Sequence, residues 1–383
     1  MLVTSRKRFG DSCVACMPDP TVHEKITVGI SISFSGKYRL QGEQVLRGVQ
    51  LWVAHVNQKG GIYIKESARS LPVELIAYDD RSKTDRAKEN VVQLIKESRV
   101  DILLGPYSSA LTMAVAPIAE NEKKVLWNHG GASDAICKQG WYYLVSVLSP
   151  ASSYFRSLPS YLTGREPPLR QFLCFTSSAG TFPAYVAQGL EDAAKSIGLT
   201  VVNVPFTSPF DVRRLARTAP MQASDFLIGI GNFQEDIEIV SHLGGIKPLA
   251  AIAAGSTAFG KSLGSKAEGI IGPSQWEPEI HRLEFKGPNS EWFRYHFEKM
   301  FGAAPEYTAA QGFATGVVIQ EAIRRAGGLG DERLRKTVAD FDIHTFYGAF
   351  RINPKSGCQI GHQPVLVRWQ RGKKVVIWPP EAM

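Results

Sequence analysis

The chain has 383 residues, of which 44% are hydrophobic and 21% are charged, and it carries a net charge of +8 at pH 7. These values are typical of a soluble globular protein, and the length is too great for one simple core, so we expect two domains. No apolar run approaches the roughly 20 residues that span a bilayer, which excludes a transmembrane helix. The Lys and Arg residues are scattered, with no basic run interleaved with aromatic residues, so the sequence favours a solvated basic surface over nucleic-acid binding.

The five cysteines are odd in number and widely spaced, and we expect them not to form a disulfide framework. Cys174 lies in an apolar strand pattern, which is typical of an inert core residue. Cys13 and Cys16 form a lone CxxC pair. This spacing also occurs in redox pairs and in one half of some metal sites, but no second pair stands at metal-ligand spacing. We interpret them as thiols in a flexible tail, residues 1–25. That tail has no apolar export signal, so two interpretations stay open: a removed or mis-assigned leader, and a protein that remains in the cytoplasm.

Strands and helices alternate through the first part of the chain, which predicts a doubly wound parallel sheet. Helical spacing of apolar residues separates the helices from the continuous apolar runs of the strands. The predicted strands cover residues 26–32, 73–78, 100–104, 125–127 and 143–147, and the predicted helices cover residues 43–57 and 84–98.

The same pattern restarts after residue 147 and predicts a second α/β unit. The strands are expected at 171–175, 200–204, 225–230, 249–252 and 269–271, and the helices at 184–197, 210–218 and 235–243. Helices at 291–301, 308–326 and 331–340 and strands at 364–372 and 374–378 complete the chain.

This repetition predicts two Rossmann-like lobes, each a parallel-rich sheet flanked by helices, joined by several chain crossings. Lobe 1 is expected to comprise residues 26–147 and 274–357, and lobe 2 residues 148–273 and 358–383. Clefts between domains are where small ligands bind, so we expect a ligand between the lobes.

Two strand-to-helix turns carry small polar residues. The apolar strand that ends at Leu104 runs into Gly105-Pro106, Tyr107 and two serines, and a second small-residue turn follows at residues 130–134. Such turns leave backbone N–H groups and hydroxyls at helix N-termini, where carboxylates and other polar acceptors are stabilised. Because adjacent parallel strands end at the same edge of a sheet, the two turns predict a ligand site there.

No catalytic constellation appears in the sequence. It contains no GxSxG elbow, Walker loop or HExxH motif, and residues 229–231 lack the third glycine of a dinucleotide fingerprint. The eight histidines are dispersed, without metal-ligand spacing. We therefore expect a protein that is not an enzyme and that uses no cofactor or metal.

Seven groups of short segments stand in a characteristic order: 26–30 with 34–36, then 57–62, 78–80, 104–109, 305–310, 347–352 and 375–379. Together they resemble the type I periplasmic solute-binding proteins of ABC transporters. The resemblance falls in the branch that binds leucine, isoleucine and valine, which also includes a cytoplasmic amide-sensing regulator. It covers about residues 26–379 and implies the two-lobed α/β fold with a ligand in the cleft.

The resemblance assigns the carboxylate or amide of the ligand to the loop after the third strand, at Ser109. The amide-sensing branch also uses a tyrosine at the position of Tyr107. The alternative for Ser109 is an ordinary helix N-cap, which needs no ligand. In the next loop, Gly131, Ala132 and Ser133 match the positions that supply carbonyls and a hydroxyl to an α-amino group.

The second lobe matches the amino-acid binders less well. Their acidic residue for the ammonium falls near Ala254 or Gly255, neither of which is acidic, and their tyrosines are replaced by Phe182 and Asn232. A buried ammonium without a carboxylate is costly. An aromatic or aliphatic carboxylate, an amide or a urea-like molecule therefore fits better than an ordinary amino acid.

Four further residues bear on the ligand. Glu235 or Asp134 could replace the missing acidic residue, which keeps amino acids among the expected ligands. Gln41, on the first loop, is expected to close over the ligand, and Tyr307 lies near the hinge in the family pattern.

The resemblance implies a periplasmic receptor that closes on a small ligand and presents it to an ABC permease, and we expect it to be a monomer. The alternative function is a cytoplasmic ligand sensor that regulates a partner protein, as the amide-sensing relative does. The absence of a visible leader favours this alternative.

Overall fold

The computed structural model describes residues 23–164, 168–218, 225–243, 249–280 and 286–380. Cys13 and Cys16, and most of the predicted tail, lie outside the described residues. Among the described residues, no helix is long and apolar enough to cross a membrane.

The first part of the chain alternates strands and helices as predicted and adds a short hairpin and a short helix. Its elements are β1 (Ile26–Ile32), α1 (Arg39–Gln58), β2 (Ile62–Ile64), β3 (Arg69–Leu71), β4 (Val73–Asp79), α2 (Thr84–Lys96), β5 (Ile102–Leu104), α3 (Ser109–Asn121), β6 (Leu126–Asn128), α4 (Asp134–Cys137) and β7 (Leu144–Ser146). Five of these strands form a parallel sheet in the order β4-β1-β5-β6-β7, which we call the sheet of lobe 1.

The middle of the chain builds most of a second sheet. Its elements are α5 (Leu158–Tyr161), β8 (Gln171–Ser177), α6 (Phe182–Lys195), β9 (Thr200–Phe206), α7 (Val212–Thr218), β10 (Phe226–Ile230), α8 (Phe233–Leu243), β11 (Leu249–Ala251), α9 (Thr257–Leu263) and β12 (Ile271–Ser274). Short 3₁₀ turns lie at Ala151–Ser153, Pro209–Asp211, Ile252–Gly255 and Gly264–Ala267.

The last part of the chain contributes helices to the core of lobe 1 and two strands to the sheet of lobe 2. Its elements are α10 (Ser290–Phe301), α11 (Tyr307–Ala326), α12 (Asp331–Ala339), β13 (Ile343–His344), β14 (Ala349–Phe350), β15 (Val365–Gln370) and β16 (Lys373–Trp378). The sheet of lobe 2 has the order β16-β15-β12-β11-β10-β8-β9. Strand β15 runs antiparallel to both of its neighbours, β12 and β16. The predicted division of the chain at 147/148, 273/274 and 357/358 stays a prediction.

Helix α11 packs closely against α1. A Cβ atom at Gly48 would lie 2.0 Å from the carbonyl oxygen of Ala309, and one at Gly316 would lie 2.1 Å from the indole of Trp52. Glycine at these positions therefore lets the two helices approach more closely than any side chain would allow. The first residue of α11, Tyr307, is held beside the first turns of α1 in consequence.

Buried polar groups join the three chain segments that cross between the lobes. Gln275 accepts hydrogen bonds at Oε1 from the Ser149 amide (2.9 Å) and the Tyr347 hydroxyl (2.7 Å), and its Nε2 donates to the Tyr154 hydroxyl (2.7 Å). The Ser149 hydroxyl lies 2.5 Å from Nδ1 of His362. Ser149, Gln275 and His362 are all buried. These hydrogen bonds therefore connect the three crossing segments to one another.

The cysteine prediction needs correction, because Cys137 and Cys358 form a disulfide across 221 positions of the sequence. The bond joins the short helix α4 to the third crossing, two segments that only the folded chain brings together. Spacing along the sequence could not show this pairing. Cys358 packs in the same hydrophobic cluster as Val91 and Leu111 of lobe 1. Cys174 is free and buried, as predicted.

Candidate functional site

The two polar loops of lobe 1 meet at the predicted edge of the sheet. The hydroxyl oxygen of Ser109 accepts a hydrogen bond from the backbone N–H of Ser133 at 2.9 Å. The N-cap of α3 is Ser108, whose hydroxyl accepts from the Leu111 amide at 3.5 Å. Ser109 is therefore not the N-cap, and its hydroxyl proton remains available to a ligand that accepts hydrogen bonds.

The loop after β6 is shaped by Asn128. The Asn128 side chain accepts from the Gly131 amide and donates to the Gly131 carbonyl, both at 2.8 Å. The Ala132 carbonyl accepts from the Ala151 amide at 2.7 Å. A Cβ atom at Gly131 would lie 2.5 Å from Oγ1 of Thr112, so packing requires glycine there. Both predicted carbonyl groups are thus already hydrogen-bonded within the protein.

Ser133 reaches the other lobe. Its hydroxyl lies 2.7 Å from that of Thr181, and Ser133 is buried. Thr181 occupies the N-cap of α6, but its side chain makes no capping bond. Sequence reasoning missed Thr181, although residues 177–181 repeat the small polar turn between a strand and a helix that marks lobe 1. The neighbouring Phe182 packs edge-on against Tyr154, with ring centroids 5.4 Å apart.

Tyr107, in the loop before α3, belongs to a group of interacting tyrosines. The ring of Tyr107 meets that of Tyr38 edge-on at 5.9 Å, and the side chains of Tyr107 and Tyr307 interact. Enclosure of their hydroxyl groups raises the pKa of Tyr107, Tyr154 and Tyr307. These phenols are therefore neutral hydrogen-bond donors over the physiological pH range.

The two acidic residues considered from the sequence already have partners. Asp134 accepts from the amide and the hydroxyl of Ser152, at 3.0 and 2.6 Å. Glu235 accepts from the Ser177 hydroxyl at 3.0 Å and from the Asn232 amide at 2.8 Å. Each carboxylate thus stabilises a turn close to the cleft.

Asn232 caps a helix of lobe 2, and Gln41 lies within a helix of lobe 1. The Asn232 side chain accepts from the amides of Gln234 (3.0 Å) and Glu235 (3.1 Å), and so caps α8. Its role as a ligand residue stays a prediction. Gln41 lies in the first turn of α1, and its Oε1 is buried without a hydrogen-bond partner among the described residues.

Glu306, which sequence reasoning did not single out, also joins the lobes. It precedes Tyr307 at the head of α11, and its amide donates to Oε1 of Gln44 in lobe 1 at 3.1 Å. Its carboxylate Oε2 accepts from the Thr257 amide of lobe 2 at 3.0 Å. Nothing in the sequence pattern predicts this contact, because the two residues belong to separate lobes.

The lobe 2 loop that precedes Thr257 contains no acidic residue. The carbonyl of Ala254 accepts from the indole of Trp369, and that of Gly255 accepts from the Lys374 ammonium, each at 2.9 Å. In the part of the chain that the structure describes, no group of three or more His, Cys, Asp or Glu residues could hold a metal ion.

A cavity of about 640 Å³ lies elsewhere in lobe 1, and none of the predicted ligand residues lines it. Its wall includes Val100 and Asp101, which precede β5, so it opens at the opposite edge of the sheet. Asp101 there accepts from the amide and hydroxyl of Thr27, at 2.7 and 2.8 Å. The cavity is distinct from the cleft between the lobes.

Comparison with known proteins is consistent with this architecture. A family model described as periplasmic binding protein matches residues 25–374. Leu/Ile/Val-binding protein homolog 8 of Brucella melitensis is 24% identical over 384 aligned residues, which cover 93% of this chain and 91% of the relative.

Two solved structures share the fold. Leucine-binding protein LivK of Thermotoga maritima superposes with a TM-score of 0.78 at 18% identity, covering 92% of this chain and 97% of that one. LivJ of Streptococcus pneumoniae, solved in complex with isoleucine, gives a TM-score of 0.77 at 19% identity, covering 91% of this chain and 97% of that one. The predicted fold class is confirmed: two lobes, each with a parallel-rich sheet flanked by helices.

Proposed function

Because the chain belongs to the periplasmic binding protein family, we propose that it is an extracytoplasmic receptor that delivers a small solute to an ABC permease. The solute binds in the cleft between the lobes. Its chemical class is an amino acid, an aromatic or aliphatic carboxylate, or an amide.

One observation carries the proposal: the hydroxyls of Ser109, Ser133 and Thr181 converge from both lobes. Ser109 is bonded to the Ser133 amide at 2.9 Å, and the Ser133 hydroxyl meets Thr181 at 2.7 Å. Hydroxyl groups beside the N-termini of α3 and α6 suit an anionic or carbonyl oxygen, because both the O–H groups and the helix dipoles favour negative charge there.

The same arrangement explains how binding would close the protein. Lobe 1 supplies Ser109, Ser133 and Tyr107, and lobe 2 supplies Thr181 and Phe182, so only the closed form surrounds the ligand completely. A ligand that makes contacts with both lobes shifts the population towards closure. A micromolar dissociation constant, about −8 kcal/mol, is within reach of a few charge-assisted hydrogen bonds and the burial of an apolar tail.

The names of related proteins support a solute of this kind. The Brucella melitensis relative is named a Leu/Ile/Val-binding protein homolog, and the Streptococcus pneumoniae structure contains isoleucine. We propose that Tyr107, Gln41 and Tyr307 line the cleft beside Gly131, Ala132, Phe182 and Asn232.

The disulfide supports the extracytoplasmic location over the cytoplasmic sensor. Cys137 and Cys358 are bonded. Structural disulfides persist in oxidising compartments such as the periplasm and are rare in the cytoplasm, where thiols are kept reduced.

The proposal is tested by screening the purified full chain in thermal-shift assays against amino acids, aromatic and aliphatic acids, and amides, followed by calorimetry on the hits. A ligand at 100 times its dissociation constant stabilises the folded state by about 2.7 kcal/mol, which raises the melting temperature measurably. Ser109→Ala should weaken the hit by about 10- to 100-fold, because a hydrogen bond to a charged group is lost.

Ser108→Ala is the matched control, since this neighbouring hydroxyl caps α3. It should lower stability by about 1 kcal/mol and change affinity little. If no compound of any class shifts the melting temperature, the receptor function is wrong.

A further inference from the structure

We propose that the cavity at the opposite edge of the lobe 1 sheet is a second ligand site, which binds an aliphatic monocarboxylate through Arg99. The cavity has a volume of about 640 Å³. Pockets of about 300–1,000 Å³ hold drug-sized ligands. The site does not depend on the proposed receptor function, because none of the predicted cleft residues lines it.

Much of the cavity wall is apolar. Its side chains come from two hydrophobic clusters of lobe 1: Ile64 and Leu71 lie in one, Val100 lies in the other, and all three are buried. Ile95 and Leu329 pack against these clusters and also line the cavity. The wall therefore favours a ligand with an apolar body, because removal of apolar surface from water stabilises the bound state.

The two carboxylates of the wall have partners within the protein. Asp101 Oδ2 accepts hydrogen bonds from the amide and the hydroxyl of Thr27, at 2.7 and 2.8 Å, and its Oδ1 lies 3.3 Å from Nδ1 of His23. Glu66 forms an ion pair with Arg333. The negative charges at the cavity are therefore stabilised by groups of the protein.

The positive charges at the cavity are not all used in this way. Nζ of Lys124 donates to Asp331 Oδ2 at 3.0 Å and to the Asp101 carbonyl at 2.7 Å. Arg99 lines the same wall without a hydrogen bond or ion pair to any other residue that the structure describes. A guanidinium group has five N–H donors in a planar fork that matches a carboxylate. Arg99 is therefore the group that can bind an anionic ligand in this cavity.

The backbone at Arg99 shows that the fold has no need for arginine there. Its φ is +47°, in the left-handed region that favours glycine. The position follows the end of α2, where glycine is the usual residue because other side chains are strained. A glycine would thus suit the folded chain better, and the arginine is explained by what its side chain can bind.

One guanidinium group beside two carboxylates favours a singly charged ligand. A monocarboxylate gains two parallel hydrogen bonds to Arg99. A phosphate monoester carries a charge of about −1.5 to −2 at pH 7, and Glu66 and Asp101 repel it more strongly. With the apolar wall around the tail, an aliphatic monocarboxylate satisfies both parts of the site.

Calorimetry on the full chain tests the site with octanoate, and octan-1-ol, octylamine and octyl phosphate present the same tail with a different head group. We expect octanoate to bind at least about 10-fold more tightly than any of the three, because its hydrogen bonds to Arg99 are charge-assisted. Arg99→Gln should weaken octanoate by about 10-fold or more for the same reason. Arg86→Gln is the matched control, because it removes the same charge from an exposed position on α2, and it should leave octanoate binding unchanged.

Arg99→Gly separates binding from folding. Glycine relieves the left-handed backbone, so this variant should melt at a higher temperature than the wild-type chain and still lose octanoate binding. A loss of binding in a chain that melts higher cannot result from misfolding.

Ser109→Ala assigns the bound octanoate to one of the two sites, because aliphatic carboxylates are also among the solutes proposed for the cleft. Octanoate binding at the cavity should survive Ser109→Ala. Solutes found for the cleft should bind to Arg99→Gln as they bind to the wild-type chain.

Three results would overturn the inference: octanoate binding is lost in Ser109→Ala and kept in Arg99→Gln, which places it in the cleft only; octan-1-ol binds as tightly as octanoate; or octanoate at millimolar concentration does not bind. None of them affects the receptor function, which fails only if no solute binds in the cleft.

Discussion

The hydroxyl groups of Ser133 and Thr181 lie 2.7 Å apart, although one residue ends a loop of lobe 1 and the other begins a helix of lobe 2. The Thr181 side chain makes no capping bond to α6, the helix that follows it. The contact joins the two lobes, and we propose that it helps to hold them closed. A ligand that inserts its carboxylate at this point would exchange one hydroxyl–hydroxyl bond for two bonds to a charged group, which are stronger.

Thr181→Val tests this contact by replacing the hydroxyl with a methyl group of similar size. We expect the closed form to lose about 1 kcal/mol, the net value of one hydrogen bond. The radius of gyration of the ligand-free chain, measured by small-angle X-ray scattering, should rise, and ligand affinity should fall by about fivefold. Thr176→Val is the control, since Oγ1 of Thr176 is buried without a partner among the described residues. Equal scattering curves for wild type and Thr181→Val would contradict the role assigned here.

The disulfide between Cys137 and Cys358 offers a test of stability. Replacing both cysteines by alanine should lower the free energy of unfolding by about 2–5 kcal/mol, because the unfolded chain regains the freedom of a loop that spans 221 positions. Urea unfolding with and without dithiothreitol measures this difference. The reductant should destabilise the wild-type chain and leave the double variant unchanged. A wild-type chain that is insensitive to complete reduction would show that the bond contributes nothing.

Elements with a strong local pattern were predictable from the sequence. Strand β1 has the predicted bounds, Ile26–Ile32, and the helix predicted at 184–197 is found at Phe182–Lys195. In both, the spacing of apolar residues reflects the face that packs in the core, so a single segment carries the information. The hairpin of β2 and β3 and the short helices α4 and α9 were not predicted, because segments of three to seven residues take their structure from tertiary contacts.

The candidate site could be predicted only in part from the sequence. The turns that end two neighbouring strands predicted the edge of the sheet, and the family resemblance assigned Ser109 and Ser133 there. In the structure the Ser133 amide donates to the Ser109 hydroxyl at 2.9 Å. The contacts of Thr181 with Ser133 and of Glu306 with Thr257 join the two lobes, and the disulfide joins segments far apart in sequence. Such relationships depend on how the lobes pack, and one sequence without its fold contains no local signal for them.

Gln275 provides a test of the hinge. Gln275→Leu keeps the volume of the side chain but leaves the buried Ser149 amide and the Tyr347 and Tyr154 hydroxyls without their partner. Each unsatisfied buried group costs about 1–3 kcal/mol, so we expect a loss of roughly 3 kcal/mol or more in the free energy of unfolding. Tyr347→Phe, which removes one hydroxyl and leaves Gln275 bonded to Ser149, should cost about 1 kcal/mol. Urea denaturation compares the two, and equal losses would show that the network does not depend on Gln275.

His129 makes stability depend on pH. The residue follows β6 and is fully buried, and burial lowers its pKa to about 4. In the unfolded chain the imidazole takes up a proton near pH 6.5, so between about pH 6.5 and 4 the unfolded state binds more protons than the folded state. The contribution of His129 is therefore complete above pH 6.5 and is lost progressively as the pH falls towards 4. From pH 7.5 to 5 we expect a loss of about 2 kcal/mol from this residue.

Urea midpoints of the wild-type chain and of His129→Phe, measured at pH 7.5 and at pH 5, test this prediction. Phenylalanine keeps an aromatic ring in the core and has no titratable group, so the loss on acidification should be smaller in the variant by about 2 kcal/mol. His55, whose pKa burial also lowers to about 4, remains in both proteins and contributes equally to their slopes. A variant that loses as much stability as the wild type would mean that His129 is already protonated in the folded chain at pH 5, and that burial at this position does not exclude the charge.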